Sequence, residues 1–153
     1  MESVAVETYR GVAHSWLCDA MGHLNTRHYL AMFDDALHHY MLLCGFDAQQ
    51  DHGLGLADVN VTLELRAEVR PGSLVTIKSS TKRIGRTSLV STHTMLDAAS
   101  QEICAVCEII TVQLDLSARR AVPLLPELRE GAATFFPRTE PDDDGAGHKM
   151  EAV

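Results

Sequence analysis

Residues 19–45 read DAMGHLNTRHYLAMFDDALHHYMLLCG, and this stretch decides the fold. From Thr26 to Cys44 it holds neither Pro nor Gly, and Gly45 stands where a C-terminal cap belongs. Placed at about 100° per residue, Tyr29, Leu30, Met32, Phe33, Ala36, Leu37, Tyr40, Met41, Leu43 and Cys44 fill roughly half the circumference. Arg27, His28, Asp34, Asp35, His38 and His39 take a separate arc. The pattern predicts a long amphipathic helix with a buried face wide enough to be cradled by a curved sheet. Ahead of it, Cys18–Leu24 reads as a loop in which Gly22 supplies backbone freedom.

Outward from the helix the period changes. Residues 4–17 read as an opening strand, rich in Val and aromatics and broken by Gly11. Beyond residue 58, Val59, Val61, Leu63, Leu65, Ala67 and Val69 alternate with Asn60, Thr62, Glu64, Arg66, Glu68 and Arg70, the mark of a half-buried strand. Pro71-Gly72 makes a turn, because Pro fixes φ and Gly accepts a positive φ. Further strands are expected over 74–84, 87–97 and 102–116, separated by Gly85-Arg86 and Ala98–Gln101. The last is apolar on both faces apart from Glu108, so it should be central. A short helix is expected over 124–130, and the polar tail from Pro137 should be disordered.

One strand, a long helix and four strands in hairpin-like succession make an α+β domain: an antiparallel sheet of about five strands around one helix, over residues 1–136. Such a sheet leaves an edge and a partly apolar face uncovered, which predicts a homodimer or homotetramer. The chain has 153 residues, 46% of them hydrophobic, enough for one domain with a sizeable core. Its formal net charge of -8 argues against a nucleic-acid or anionic-membrane partner, both of which need a cationic face. Met1-Glu2-Ser3 is acidic rather than a basic leader, and no apolar run approaches a membrane span, so the expected address is the cytoplasm. Cys104 and Cys107 have the spacing of a redox or zinc pair. On a strand, however, residues three apart face opposite ways, and no second Cys/His pair accompanies them; they read as small buried hydrophobes.

Asp19 sits one loop before the helix, close to its positive N-terminal dipole, which favours a carboxylate as its anion. The free N–H groups of the first turn, those of Thr26 or Arg27, could bind a carbonyl oxygen and the charge it gains under attack. A carboxylate beside such a site suffices for thioester hydrolysis, since a thiol with a pKa of about 8.5 departs without a strong general acid. The same residues have plainer readings. Asp19 could cap the loop, Asn25 could be the helix N-cap, and His23 could bond a backbone carbonyl. Cys18 has no His–acid relay around it, and the His28, His38 and His39 arc with Asp34 and Asp35 reads as a solvated face rather than a metal site.

The stretch Asp19-Ala20-Met21-Gly22-His23-Leu24-Asn25, with Tyr29-Leu30 and Phe33-Asp34-Asp35-Ala36, resembles the 4-hydroxybenzoyl-CoA thioesterase-like branch of the hotdog superfamily. That branch marks its loop and helix with an Asp, a Gly three residues later and a Tyr ten residues later, matched by Asp19, Gly22 and Tyr29. Gly22-His23-Leu24-Asn25 looks like the variant in long-chain acyl-CoA and plant acyl-carrier-protein thioesterases of the same fold. Lys82–Leu89 and Asp115–Pro126 resemble the family's strand junction and closing segment, so the likeness spans roughly residues 6–130.

The resemblance implies a hotdog-fold acyl-CoA thioesterase with no metal or cofactor, coenzyme A being part of the substrate. It makes Asp19 the catalytic carboxylate, as general base or as nucleophile through a mixed anhydride. It places the Thr26 N–H at the thioester carbonyl and gives His23 and Asn25 the orienting of Asp19, the water or the acyl group. Gly22 and Tyr29 would shape the substrate site. The hydroxybenzoyl enzyme carries bulky apolar or aromatic residues at the positions of His23 and Asn25, so its particular substrate is not implied. A second hotdog lineage draws a catalytic Glu from the long helix, where this chain has Asp34 and Asp35. Lys82, Arg83 and Arg86 gather three positive charges, which read either as a solvated turn or, with Thr87 and Ser88, as the groups that meet the phosphates of CoA or of a phosphopantetheine arm at a subunit boundary. Lys82 and Arg83 are expected on opposite faces of their strand, so at most two of the three cations would share one phosphate site. The rival classes are a non-catalytic acyl- or polyketide-binding hotdog module and a hotdog dehydratase or hydratase.

Overall fold

A computed structural model describes residues 4–50 and 53–137. Strand β1 (Val6–Val12) leads through a single 3-10 turn at Ser15–Leu17 to helix α1 (Thr26–Leu43). Strands β2 (Leu54–Leu65), β3 (Leu74–Ile84), β4 (Ser88–Asp97) and β5 (Ile103–Asp115) follow. The two-residue strand β6 (Arg120–Ala121) and helix α2 (Pro126–Ala133) close the chain. All pairings are antiparallel, in the order β1-β3-β4-β5-β2, with β6 beside β5. This is the α+β hotdog arrangement, and β5 is interior as its two apolar faces require. The expected tail lies outside the described residues apart from Pro137.

The helix buries Tyr29, Met32, Phe33, Ala36, Leu37, Tyr40 and Met41. They meet Val75 and Ile77 of β3, Leu89 and Met95 of β4, and Ala105, Cys107 and Ile109 of β5 in one core. Burying a side chain the size of Phe33 or Leu37 stabilises the fold by about 1.5–3 kcal/mol. At the far end of α1, Gly131 of α2 lies against the Cys44 backbone so closely that a β-carbon would stand 1.9 Å from the Cys44 carbonyl oxygen. Among the described residues no helix is long and apolar enough to cross a membrane.

Several local expectations are corrected. The opening strand is shorter than 4–17, because β1 pairs with β3 only as far as Val12↔Leu74 and the Pro71-Gly72 turn leaves nothing beyond to pair with. Strand β2 begins earlier and ends earlier than its alternation implied. A bulge between Asp58 and Asn60 shifts its register, and beyond Leu65 the N–H groups of Arg66 and Ala67 both turn to the Cys104 carbonyl. Nor is β2 half-buried within one chain: Val59, Val61 and Leu65 are 60%, 47% and 49% exposed. The cause is that α1 leans over β1, β3 and β4 and hardly touches β2. Leu30 and Leu43, placed on the buried arc, are exposed for the same lack of a covering layer.

Cys104 and Cys107 are indeed buried free thiols. Burial pushes the Cys107 thiol up to about 11, which disfavours its thiolate. Among the described residues no group of three or more His, Cys, Asp or Glu side chains is arranged to hold a metal ion. On the polar arc of α1, His38 merely approaches Asp34 at 3.8 Å. The terminal helix runs to Ala133 rather than stopping at residue 130, its start set by Pro126 at the first helical position.

Candidate active site

The loop before α1 is built around Asp19. Its backbone N–H donates to the His23 carbonyl at 2.8 Å, and its carbonyl accepts from Gly22 at 3.0 Å. Its carboxylate Oδ1 accepts from the N–H groups of Met21 and His23, at 2.9 and 3.3 Å. Gly22 closes this turn with φ +78, a left-handed value that a residue with a β-carbon adopts only under strain. The carboxylate is therefore held by one oxygen, and Oδ2 accepts no hydrogen bond among the described residues.

Asn25 is the N-cap of α1. It has extended backbone angles, and its side chain accepts from the Arg27 N–H at 3.3 Å. Of the two readings open for this residue, the structure shows the cap. Thr26 is the first helical residue, and its backbone N–H has no partner among the described residues. That N–H stands at the positive end of an 18-residue helix.

Asp19, His23, Thr26 and Tyr29 line one cavity of about 300 Å³ with Leu24 and the segment Leu65–Glu68. The far wall was not legible as part of a site. Arg66 and Glu68 read as the outward positions of a strand, whereas the chain leaves the sheet there and the Leu24 N–H bonds the Val69 carbonyl at 2.8 Å. His23 Nε2 lies 3.0 Å from Glu68 Oε2. Tyr29 is buried beneath the cavity, and burial raises its phenol above the ordinary range. Two further cavities continue the groove between α1 and β2. One, of about 330 Å³, is lined by Leu30, Phe33, Asp34, Asp58, Val61 and Ile109 among others. The next, of about 360 Å³, carries Leu37, His38, Met41, Leu56, Asp58 and Thr111 among its walls. Asp58 accepts from the Thr111 hydroxyl at 2.8 Å, and desolvation raises its carboxyl.

Lys82, Arg83, Arg86, Thr87 and Ser88 are not brought into the Asp19 cavity. Strand β3 starts beside the loop, where Ala13 bonds Ser73, and runs roughly 30 Å to the turn that carries them. A bulge at Lys82 also changes their facing. Thr81 and Ile84 both pack inward, leaving Lys82 and Arg83 exposed side by side instead of on opposite faces. Lys82 pairs with Glu108 of β5. The turn itself is fixed by Arg129 of α2, which donates to the Gly85 carbonyl at 2.8 Å and the Arg86 carbonyl at 3.3 Å. Cys18 donates its thiol weakly to the His14 carbonyl at 3.5 Å.

A carboxylate with one oxygen free, beside an unpaired N–H at a helix N-terminus, can accept a proton and stabilise an oxyanion in the same space. The fold is the one found in thioester hydrolases of the hotdog type. The sequence model of the thioesterase-like superfamily matches residues 12–131, and the chain belongs to that family. No curated protein matches it. Among solved structures, the chain is similar to a Staphylococcus aureus protein determined in complex with CoA, at 13% identity and TM-score 0.81, covering 100% of this chain and 99% of that one. A Pseudomonas aeruginosa protein is similar at 20% identity and TM-score 0.77, covering 89% and 99% of the two chains. A 1,4-dihydroxy-2-naphthoyl-CoA thioesterase from Synechocystis is similar at 15% identity and TM-score 0.73, covering 82% and 93%.

Proposed function

We propose that this chain hydrolyses an acyl-CoA thioester to a free acid and CoA, with Asp19 as the reacting carboxylate. The observation that carries the reading is that Asp19, with Oδ2 free of hydrogen bonds, and Thr26, with its backbone N–H unpaired, line one cavity among the described residues. As general base, Asp19 takes a proton from water while the water oxygen bonds to the thioester carbon. The carbonyl oxygen gains negative charge against the Thr26 N–H, the C–S bond breaks, and its electron pair leaves with sulfur. As nucleophile, Oδ2 would itself form the bond to carbon, and water would then hydrolyse the mixed anhydride. No metal or cofactor enters either course.

The acyl group belongs in the groove between α1 and β2, whose walls at Leu30, Phe33, Val61 and Ile109 are apolar. CoA as the carrier is supported by the Staphylococcus aureus relative solved with it and by the naphthoyl-CoA activity of the Synechocystis one. Because the Lys82–Ser88 turn lies at the other end of the sheet, it would reach the phosphates of a CoA bound at a second copy's Asp19. A homodimer, or a tetramer of two dimers, formed over β2 fits that requirement and covers Val59, Val61 and Leu65.

The test is thiol release from a panel of acyl-CoAs by the wild type and Asp19→Asn. Release that is lost in the variant supports the reading. Acyl-CoA binding without release by the wild type would make the chain a binding module, and equal release by both proteins would remove Asp19 from the reaction.

A further inference from the structure

Glu68 enters the Asp19 cavity from outside the loop motif. Its neighbours are fixed on both sides: the Arg66 and Ala67 N–H groups donate to the Cys104 carbonyl at 2.9 and 3.1 Å, and the Val69 carbonyl accepts from Leu24 at 2.8 Å. This delivers the Glu68 carboxylate to His23, with Oε2 3.0 Å from Nε2. His23 is in turn clamped to Asp19 through two main-chain bonds, one to the Asp19 N–H at 2.8 Å and one to Oδ1 at 3.3 Å. At that ion-pair separation the carboxylate, which only accepts, favours a hydrogen over a lone pair on Nε2 and leaves the lone pair to Nδ1. His23 Nδ1 has no hydrogen-bond partner among the described residues.

We propose, resting on the hydrolytic reading above, that Glu68 is a positioning residue for His23. It holds the imidazole in its Nε2–H tautomer, so that Nδ1 is left as the proton-accepting atom of a ring that lines the same cavity as Asp19. Such a carrier quickens hydrolysis without being required for it, since the thiol can depart without a strong general acid. The proton lost by water as its oxygen bonds to carbon passes from Asp19 to Nδ1, and then to the sulfur released when the C–S bond breaks. The products are acid and thiol, with His23 and Asp19 restored. While His23 is protonated, the Glu68 carboxylate offsets its charge. As a mere stabiliser the pair would count for little, since the two side chains are 31% and 65% exposed.

The test compares Glu68→Ala and Glu68→Gln in thiol release, with the ring nitrogens of His23 followed by 15N NMR. In Glu68→Ala, kcat should fall about fivefold with KM and melting temperature unchanged. Glu68→Gln should recover most of that loss, because its amide oxygen still accepts from Nε2–H. The ring spectrum should show the Nε2–H tautomer in the wild type and a mixture in Glu68→Ala. An unchanged kcat, an unchanged tautomer, or equal losses in both variants would overturn the proposal. If the wild type releases thiol from no acyl-CoA, the hydrolytic reading fails with its own assay, and the ring spectrum still decides whether Glu68 sets the tautomer.

Discussion

His93 Nδ1 of β4 lies 2.6 Å from the hydroxyl of Ser79, its register partner on β3, in a pocket of the sheet closed to solvent. Its Nε2 is bonded to Ser91 at 2.8 Å, and Ser79 is bonded to Thr8 at 2.7 Å, so a neutral ring is satisfied on both sides. Burial lowers His93 to about 4 from its ordinary value of 6.5. The unfolded chain therefore binds a proton at this residue more readily than the folded one. Stability is full above pH 6.5 and falls as the pH drops from there toward 4. Roughly 3 kcal/mol would be lost across that window. Urea unfolding of the wild type and of His93→Gln at pH 7 and pH 4.5 checks this. The wild type should lose more stability between the two conditions; parallel losses would refute it.

Thr26→Pro removes the main-chain N–H of that residue while keeping a helical φ, and Thr26→Val beside it controls for the lost hydroxyl. Proline is tolerated at the first position of a helix, and Asn25 already has φ -69 and ψ 141, angles that suit a residue before proline. The substitution should leave the melting temperature nearly unchanged while kcat falls about a hundredfold, as for a lost oxyanion donor. Asn25→Ala should do the reverse, costing about 1 kcal/mol of stability through the lost cap. A Thr26→Pro protein with full kcat would exclude this N–H from the chemistry.

The exposed apolar row on β2 makes a prediction about assembly. Val61→Glu sets a charge among Val59, Val61 and Leu65 and should shift the protein to monomers in sedimentation velocity. Thiol release should fall with it, because a second chain would supply the phosphate-binding turn. An unchanged oligomer would mean that the subunits meet elsewhere.

Much of the fold is legible in the sequence because punctuation and period agree. Helix α1 starts and stops where its polar cap and Gly45 indicate, and β3, β4 and β5 lie close to the spans read between the breaks at Pro71-Gly72, Gly85-Arg86 and Ala98–Gln101. Strand β2 is where reading fails. Gly55 disguises its start, the bulge after Asp58 breaks its period, and the alternation through Val69 outlasts the hydrogen-bond ladder. The site divides along the same line. Asp19, His23, Thr26 and Tyr29 are local to one loop and helix turn, so spacing alone brings them together. Glu68 reaches them only through a fold-level contact, and the shared facing of Lys82 and Arg83 depends on a bulge that no local pattern announces.

The grip on Asp19 has one more consequence. The oxygen that anchors the turn is not the oxygen left free for reaction, and an amide can supply the first without the second. Asparagine at position 19 would keep the bonds from Met21 and His23, and with them the shape of the cavity, while losing the carboxylate proposed to react. A descendant that only holds its ligand is thus a single substitution away, with no loosening of the scaffold to select against it.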